Sequence, residues 1–213
     1  MPGHAVPGLA RERAAWARGR LLFGIDEVGR GPLAGPVVAA VVAFPPASKR
    51  ILGLRDSKVL TASQRNRLAV LIRNRAATIG IGAASCRVID RVNIRVATAI
   101  AMRRALRRAA GECGAPMAVL IDGLPLPELR VEHDALVDGD ALCYSIAAAG
   151  VVAKVVRDRL MTLLARRHPS YGWETNMGYG TEKHLKALSA LGPTDLHRHT
   201  FRGVAVDSPI PGC

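Results

Sequence analysis

Residues 21–32 read Leu21-Leu-Phe-Gly-Ile-Asp26-Glu27-Val-Gly29-Arg30-Gly31-Pro32, an apolar run that ends in two adjacent carboxylates and a glycine–arginine–glycine turn. The apolar part predicts a strand over Leu21–Asp26, stopped by Gly29, Gly31 and Pro32. Neighbouring side chains of a regular strand face opposite ways. Asp26 and Glu27 therefore serve one site only if the backbone turns between them, or if the longer glutamate curls over the strand edge. Gly29 and Gly31 supply what a turn beside a ligand needs, positive φ and close backbone approach. In that frame a functional acid pair is a better reading than a pair of turn residues.

The rest of the chain builds outward from this strand. Val37–Phe44 is a β-branched apolar run closed by Pro45-Pro46, a second strand. Thr61-Ala-Ser-Gln64 has the form of a capping box, with Leu68, Leu71 and Ile72 following at helical spacing. Thr78–Ala84 reads as a short glycine-rich strand. Asp90 or Asn93 caps a helix that carries Ile94, Ala97, Ala101 and Ala105 on one face and ends at Gly111 or Gly114. Ala118–Ile121 is a buried strand with Asp122 at its C-terminal end. A long helical stretch runs from Gly139-Asp140 to about Arg166, and a last helix covers Thr181–Leu191. Strands first and helices late predict an α/β protein, a mixed β-sheet flanked by helices with a helical C-terminal region. Residues 1–20 read as a loosely ordered basic leader ending in a short helix, 21–206 as one domain, and 207–213 as a flexible tail.

The chain has 213 residues and a formal net charge of +13, which points to polyanionic partners, although arginine outnumbers lysine 25 to 5 and a G- and C-rich genome gives the same bias. A hydrophobic fraction of 49% supports an ordinary core, and 4% aromatics argues against a broad base-stacking platform. The longest apolar runs, Val37–Phe44 and Ile146–Ala153, are too short to span a bilayer, and no signal-peptide core follows the N-terminal arginines. Cys86, Cys113, Cys143 and Cys213 are scattered without metal-like spacing, as expected of incidental thiols in a reducing, cytoplasmic setting.

Two further acids sit at element ends: Asp122 before Gly123, and Asp140 after Gly139. Carboxylate oxygens suit hard cations such as Mg²⁺ and Mn²⁺. Acids from separate segments, without histidine or cysteine, fit phosphoryl transfer with two ions about 3.5–4 Å apart. Asp122 alone, or Asp140 alone, would read as a cap. Beside Asp26-Glu27 they read as a set.

These segments resemble the ribonuclease HII family, the type 2 ribonucleases H, from about Leu21 to Val204. The motifs that carry the resemblance are GIDEVGRGPLAGPVV at 24–38, Asp56-Ser57-Lys58, LIDG at 120–123, Gly139-Asp140-Ala141, AKVVRDRLM at 153–161, Tyr171-Gly172, GYGT at 178–181 and LHRHTF at 196–201. The resemblance implies a ribonuclease H-like fold. It implies endonucleolytic cleavage of RNA in RNA–DNA hybrids and at single ribonucleotides embedded in duplex DNA, leaving a 5′-phosphate and a 3′-hydroxyl. Asp26, Glu27, Asp122 and Asp140 match the family's metal-binding set for two divalent ions, Mg²⁺ or Mn²⁺. Gly29-Arg30-Gly31 matches the segment that senses the ribose 2′-hydroxyl through backbone groups, and Tyr179 the tyrosine that packs on the neighbouring sugar. Ser57, Lys58 and Lys154 match phosphate contacts. The chain departs from the family pattern at Asp138, where a lysine is usual, and at Asn176-Met177, where His-Lys is usual. It departs again at Gly150, where a serine is usual, and at His199-Thr200, where Arg-Ser is usual. The likeness to ribonuclease HIII is weaker, since about 25 residues before Asp26 leave no room for that family's extra domain.

By their own spacing, Arg103, Arg104, Arg107 and Arg108 read as a solvated helix face. His197 and His199 read as surface or capping residues, and Trp16 and Trp173 as packing residues. Three functions remain in view: the metal-dependent ribonuclease, a catalytically weak nucleic-acid-binding module of the same fold, and a metal-dependent phosphatase or nuclease with another substrate. The expected partner is an RNA–DNA hybrid or ribonucleotide-containing duplex. No membrane association or obligate protein partner is expected, and a monomer is the default.

Overall fold

A computed structural model describes residues 6–204 of the protein. Its strands are β1 (Leu21–Val28), β2 (Val37–Ala43), β3 (Thr78–Ala84), β4 (Met117–Asp122) and β5 (Asp134–Leu136). They form one mixed sheet in the order β3-β2-β1-β4-β5. β1, β2 and β3 are joined antiparallel, while β4 runs parallel to β1 and β5 parallel to β4.

Every residue of β2 is buried. Val37, Ala39, Val41 and Ala43 join one core layer with Phe23 and Ile25, and Ala40 and Val42 join another on the opposite face. A strand covered on both sides shows no apolar–polar alternation, which is why this segment reads as an unbroken hydrophobic run. The first layer lies under α3 (Cys86–Cys113). That helix sits directly on the β3 backbone: a Cβ at Gly80 or Gly82 would come within 2.0 Å of Ala105 O or 2.1 Å of Ala101 O. The second layer lies under α2 (Ala62–Arg75) and α5 (Tyr144–Ala165).

The capping box of α2 forms as expected, with Thr61 Oγ1 accepting from Gln64 N at 3.2 Å and Gln64 Oε1 accepting from Thr61 N at 2.8 Å. In α3 the helix starts earlier, at Cys86, and breaks at Asn93 (φ 69°), whose side chain caps the second segment through Val96 N. Asp90 is no cap; it accepts from the backbone amides of His199 and Thr200. β3 is an edge strand, and two arginines of α3 reach over to it: Arg104 donates to Ala83 O at 2.6 Å, and Arg108 to Ile81 O.

The stretch from Gly139 is not one helix: α4 (Gly139–Leu142) stops at Cys143, whose extended backbone (φ −121°) lets α5 start afresh. The short helix expected in the N-terminal segment is α1 (Ala10–Trp16), and this segment packs on the domain through Pro7, Leu9, Glu12 and Ala15. Its arginines are exposed, but Glu12 is fully buried. Glu12 Oε1 accepts from Ser145 N at 2.7 Å and from Cys143 Sγ at 3.2 Å, and Gly8 O accepts from Tyr144 N at 3.1 Å. The N-terminal segment thus satisfies amides that the first turn of α5 leaves free. The tail expected over 207–213 lies outside the described residues. Among the described residues no helix is long and apolar enough to cross a membrane.

The C-terminal region adds α6 (Trp173–Asn176) and α7 (Glu182–Leu191). Trp173 packs in the core as expected, but His197 is buried rather than on the surface. Its partners determine its tautomer. Nδ1 accepts from Thr194 N at 2.9 Å, so Nε2 carries the proton and donates to His184 Nε2 at 3.1 Å. His184 Nε2 also receives the Trp173 indole N–H at 3.1 Å, and His184 Nδ1 donates to Tyr179 O at 2.9 Å. Both imidazoles are neutral in this chain of bonds. Burial lowers the pKa of His184, and burial with the neighbouring His184 lowers that of His197 to about 4.

Two predictions follow from these buried groups. Glu12→Ala leaves the Ser145 amide without its acceptor and is expected to cost about 1–3 kcal/mol, read as a lower urea midpoint at unchanged slope. His197 has a folded pKa below its unfolded value of about 6.5, so its contribution is present above that pH and is lost as pH falls towards 4. Unfolding in urea at pH 7.5 and 4.5 should show a loss from this group of the order of 2–3 kcal/mol. A smaller loss is expected in His197→Gln, and an equal loss in both proteins would refute the assignment.

Candidate active site

Asp26 and Asp122 each lie one residue past the Ile25–Ile121 pair of the parallel β1–β4 register, so the two acids stand side by side on adjacent strands, Asp122 at the end of β4 and Asp26 two residues before the end of β1. β1 continues to Val28, so the backbone does not turn between Asp26 and Glu27. Glu27 instead curls over the edge: it lines the same cleft as Asp26 and also the recess on the α3 side with Met102. Its Oε1 lies 3.4 Å from Arg30 Nη1. Asp140 comes from the first turn of α4 and meets Lys58 Nζ at 3.5 Å.

The cleft has a volume of about 550 Å³. Asp26, Glu27, Gly29, Arg30, Gly31, Ser57, Lys58, Asp122, Lys154 and Tyr179 all line it, and Asp140 joins its edge through Lys58. Every site residue expected from the sequence therefore falls in or at one cleft. Tyr179 is half exposed on the loop whose carbonyl His184 holds, and its ring lies beside Gly31, 3.7 Å from where a Cβ would stand. Arg65 and Arg157 also line the cleft, and neither is among the site residues expected from the sequence. Arg65 donates to Ser57 O at 3.1 Å and pairs with Asp158 at 3.5 Å, and Asp158 also holds Lys154 at 2.8 Å. The one sequence signal for Arg65 is its place four residues past the Thr61 cap, in the first turns of α2.

The acids are buried to different degrees and their pKa values are all raised. Asp26 is pushed well up by burial, then by the charges of Glu27, Asp122 and Asp140, against a hydrogen bond from Glu27 N at 2.7 Å. Burial also raises Glu27, opposed by Arg30. Burial raises Asp122, opposed by the Gly139 amide, which donates to its Oδ1 at 2.8 Å. Asp140 is raised by burial and by Asp56 and Asp122, opposed by Lys58. The Gly150 departure has a local consequence: a Cβ there would come within 2.4 Å of Asp26 Oδ2. Asp138 is exposed, in a left-handed turn (φ 55°), and stays outside the cleft lining. Met177 packs its side chain against the C-terminal core, so this departure leaves no cation at the cleft.

Among the described residues no three acid, histidine or cysteine side chains form a ready-made ion cage. The four acids are held instead by Arg30, Lys58 and the Gly139 amide, with one oxygen of Asp26 and one of Asp122 left over. An all-oxygen donor set with unrelieved mutual repulsion fits a hard divalent cation, which would remove the electrostatic cost that raises these pKa values.

Acids alone would repel a phosphodiester, and the cations around them alone would only bind one. Their combination at strand ends of this sheet defines the class, a divalent-metal-dependent nuclease of ribonuclease H-like fold. Comparison with known proteins narrows it. The family model described as Ribonuclease HII matches residues 23–204. A ribonuclease HII of Cereibacter sphaeroides is 52% identical over 201 residues, covering 93% of this chain and 92% of its own. In fold, the chain is similar to the ribonuclease HII of a complex with PCNA from Archaeoglobus fulgidus, at TM-score 0.71 and 23% identity over 85% of this chain and 95% of that one. It is likewise similar to Bst-RNase HIII in complex with Mn²⁺, at TM-score 0.71 and 21% identity over 88% of this chain and 68% of that one. The chain belongs to the ribonuclease HII family, and it is a metal-dependent ribonuclease H.

The raised pKa of Asp26 carries a sign that can be measured. A carboxyl whose folded pKa lies above its unfolded value stabilises the fold only at low pH, and that contribution is lost as pH rises through the folded pKa. In chelator at pH 7.5, Asp26→Asn is therefore expected to raise Tm by about 2–4 °C. The gain should vanish near pH 4, and the Tm increase that Mn²⁺ gives the parent should be lost. A lower Tm for the variant in chelator would overturn the assignment.

Proposed function

We propose that the enzyme cuts the RNA strand of RNA–DNA hybrids, and single ribonucleotides embedded in duplex DNA, leaving a 5′-phosphate and a 3′-hydroxyl. The observation that carries this reading is the gathering of four acids, a glycine–arginine–glycine loop and a cationic rim around one cleft. Asp26, Glu27, Asp122 and Asp140 would hold two divalent ions, Mg²⁺ or Mn²⁺. Those ions, when bound, supply activation of a water and stabilisation of the leaving oxygen in an in-line displacement. Lys58, Lys154 and Arg65, with the Ser57 hydroxyl, hold the phosphates that flank the cut. Lys58, which pairs with Asp140 at 3.5 Å, would be free to turn to the strand when Asp140 serves a cation. Backbone groups of Gly29–Gly31 read the 2′-hydroxyl, the feature that separates a ribonucleotide from its DNA neighbours. The Tyr179 ring, beside Gly31, packs on the next sugar. Such an activity belongs to ribonucleotide removal during DNA replication and repair, in the cytoplasm.

The test is cleavage of three labelled duplexes, all-DNA, RNA–DNA hybrid and single-ribonucleotide, in Mg²⁺ or Mn²⁺ and then in chelator. Cleavage is expected only with ribonucleotide and metal present. Asp122→Asn keeps the oxygen that accepts from Gly139 N, so the fold should stand while the rate falls about 10³-fold, the several kcal/mol of a lost metal ligand. Unchanged cleavage by that variant would sink the assignment, and equal cutting of all-DNA duplex would sink the substrate.

A further inference from the structure

Two arginines, Arg157 and Arg198, are among the largest fully buried side chains of the protein. Neither forms an ion pair among the described residues. A buried guanidinium without a carboxylate is costly unless its donors are met, and here backbone carbonyls meet them. Arg198 donates to Gly29 O, to Arg30 O at 2.7 Å and to Gly35 O at 2.8 Å. Arg157 donates to Ala34 O at 3.2 Å, Pro36 O at 3.1 Å and Met177 O at 3.0 Å. Gly29 (φ 87°) lies against the second guanidinium, where a Cβ would fall 2.1 Å from Arg157 Nε.

The direction of these bonds determines what the loop shows on its other side. No peptide in the described chain is cis. In a trans peptide the C=O and the following N–H point opposite ways. Drawing the Gly29 and Arg30 carbonyls onto Arg198 therefore turns the Arg30 and Gly31 amides away from it. Both residues line the cleft, whereas Arg198 does not, and among the described residues neither amide donates to a protein acceptor. Two successive free amides backed by two cations are a site for a phosphate or hydroxyl oxygen.

We infer that Arg198 and Arg157 are positioning residues, which hold the Gly29–Pro36 carbonyls inward and so aim the Arg30 and Gly31 amides at the substrate oxygen. The inference rests on the proposed reading of the Gly29–Gly31 loop as the part that meets the ribonucleotide. A guanidinium is needed because its planar fork serves three carbonyls at once, and a lysine ammonium, although charged, presents no such fork.

The test pairs kinetics with amide resonances. In wild-type protein, titration with inorganic phosphate should shift the Arg30 and Gly31 amide signals in a ¹⁵N–¹H spectrum. In Arg198→Lys those two signals should start elsewhere and respond weakly, while signals from α2 and β3 stay in place. On a single-ribonucleotide duplex in Mn²⁺, kcat of this variant should fall about 100-fold with KM changed less than about threefold, because the remaining phosphate contacts still bind the strand. A merely structural role would leave kcat per folded molecule unchanged, and that result with a native spectrum overturns the inference. So does an absence of phosphate-induced shifts at Arg30 and Gly31 in the wild type, which decides the matter even if Arg198→Lys fails to fold. Wild-type protein that shows the shifts but does not cut the duplex would refute the substrate reading and leave the positioning role standing.

Discussion

Four carboxylates in one place repel each other, and the fold is arranged around that repulsion. Two of them, Asp26 and Asp122, stand side by side on neighbouring parallel strands. The other two arrive by different means, Glu27 by length and Asp140 by a short helix after β5. Arg30, Lys58 and the Gly139 amide temper the charges, and burial works the other way. A hard cation among these acids would offset the charge that the protein itself leaves only partly neutralised.

α5 ties this site to the rest of the molecule. Its first turn is satisfied by the N-terminal segment through Glu12 and Gly8. Its middle places Gly150 against Asp26 and Lys154 on the cleft, and a turn later Arg157 reaches the Ala34–Pro36 carbonyls. One helix thus touches the N-terminal segment, Asp26, the cleft and the Ala34–Pro36 loop.

Much of this was legible in the sequence because local rules govern it. β2 is an apolar run of strand length, and the Thr61–Gln64 capping box is a contact over three residues. The four acids announced themselves by standing at element ends, and the long motif around Asp26 carried the family. What was not legible depends on distant partners. Glu12 sits among arginines in the sequence, and its partner Ser145 is 133 residues away. Arg198 meets Gly29 across 169 residues, and nothing local distinguishes it from an exposed arginine. His197 likewise owes its burial to α7 and to Trp173. The break at Cys143 followed the same rule, since the cap that restarts α5 comes from another part of the chain.

The arginines of α3 that reach β3 have a consequence for the company the molecule keeps. An edge strand offers carbonyls and amides to any other strand that approaches, and proteins survive by spoiling the offer. Here Arg104 and Arg108 occupy two of those carbonyls and place charge where a foreign strand would have to lie. Two of the arginines behind the cationic excess thus cover carbonyls on the sheet's open flank.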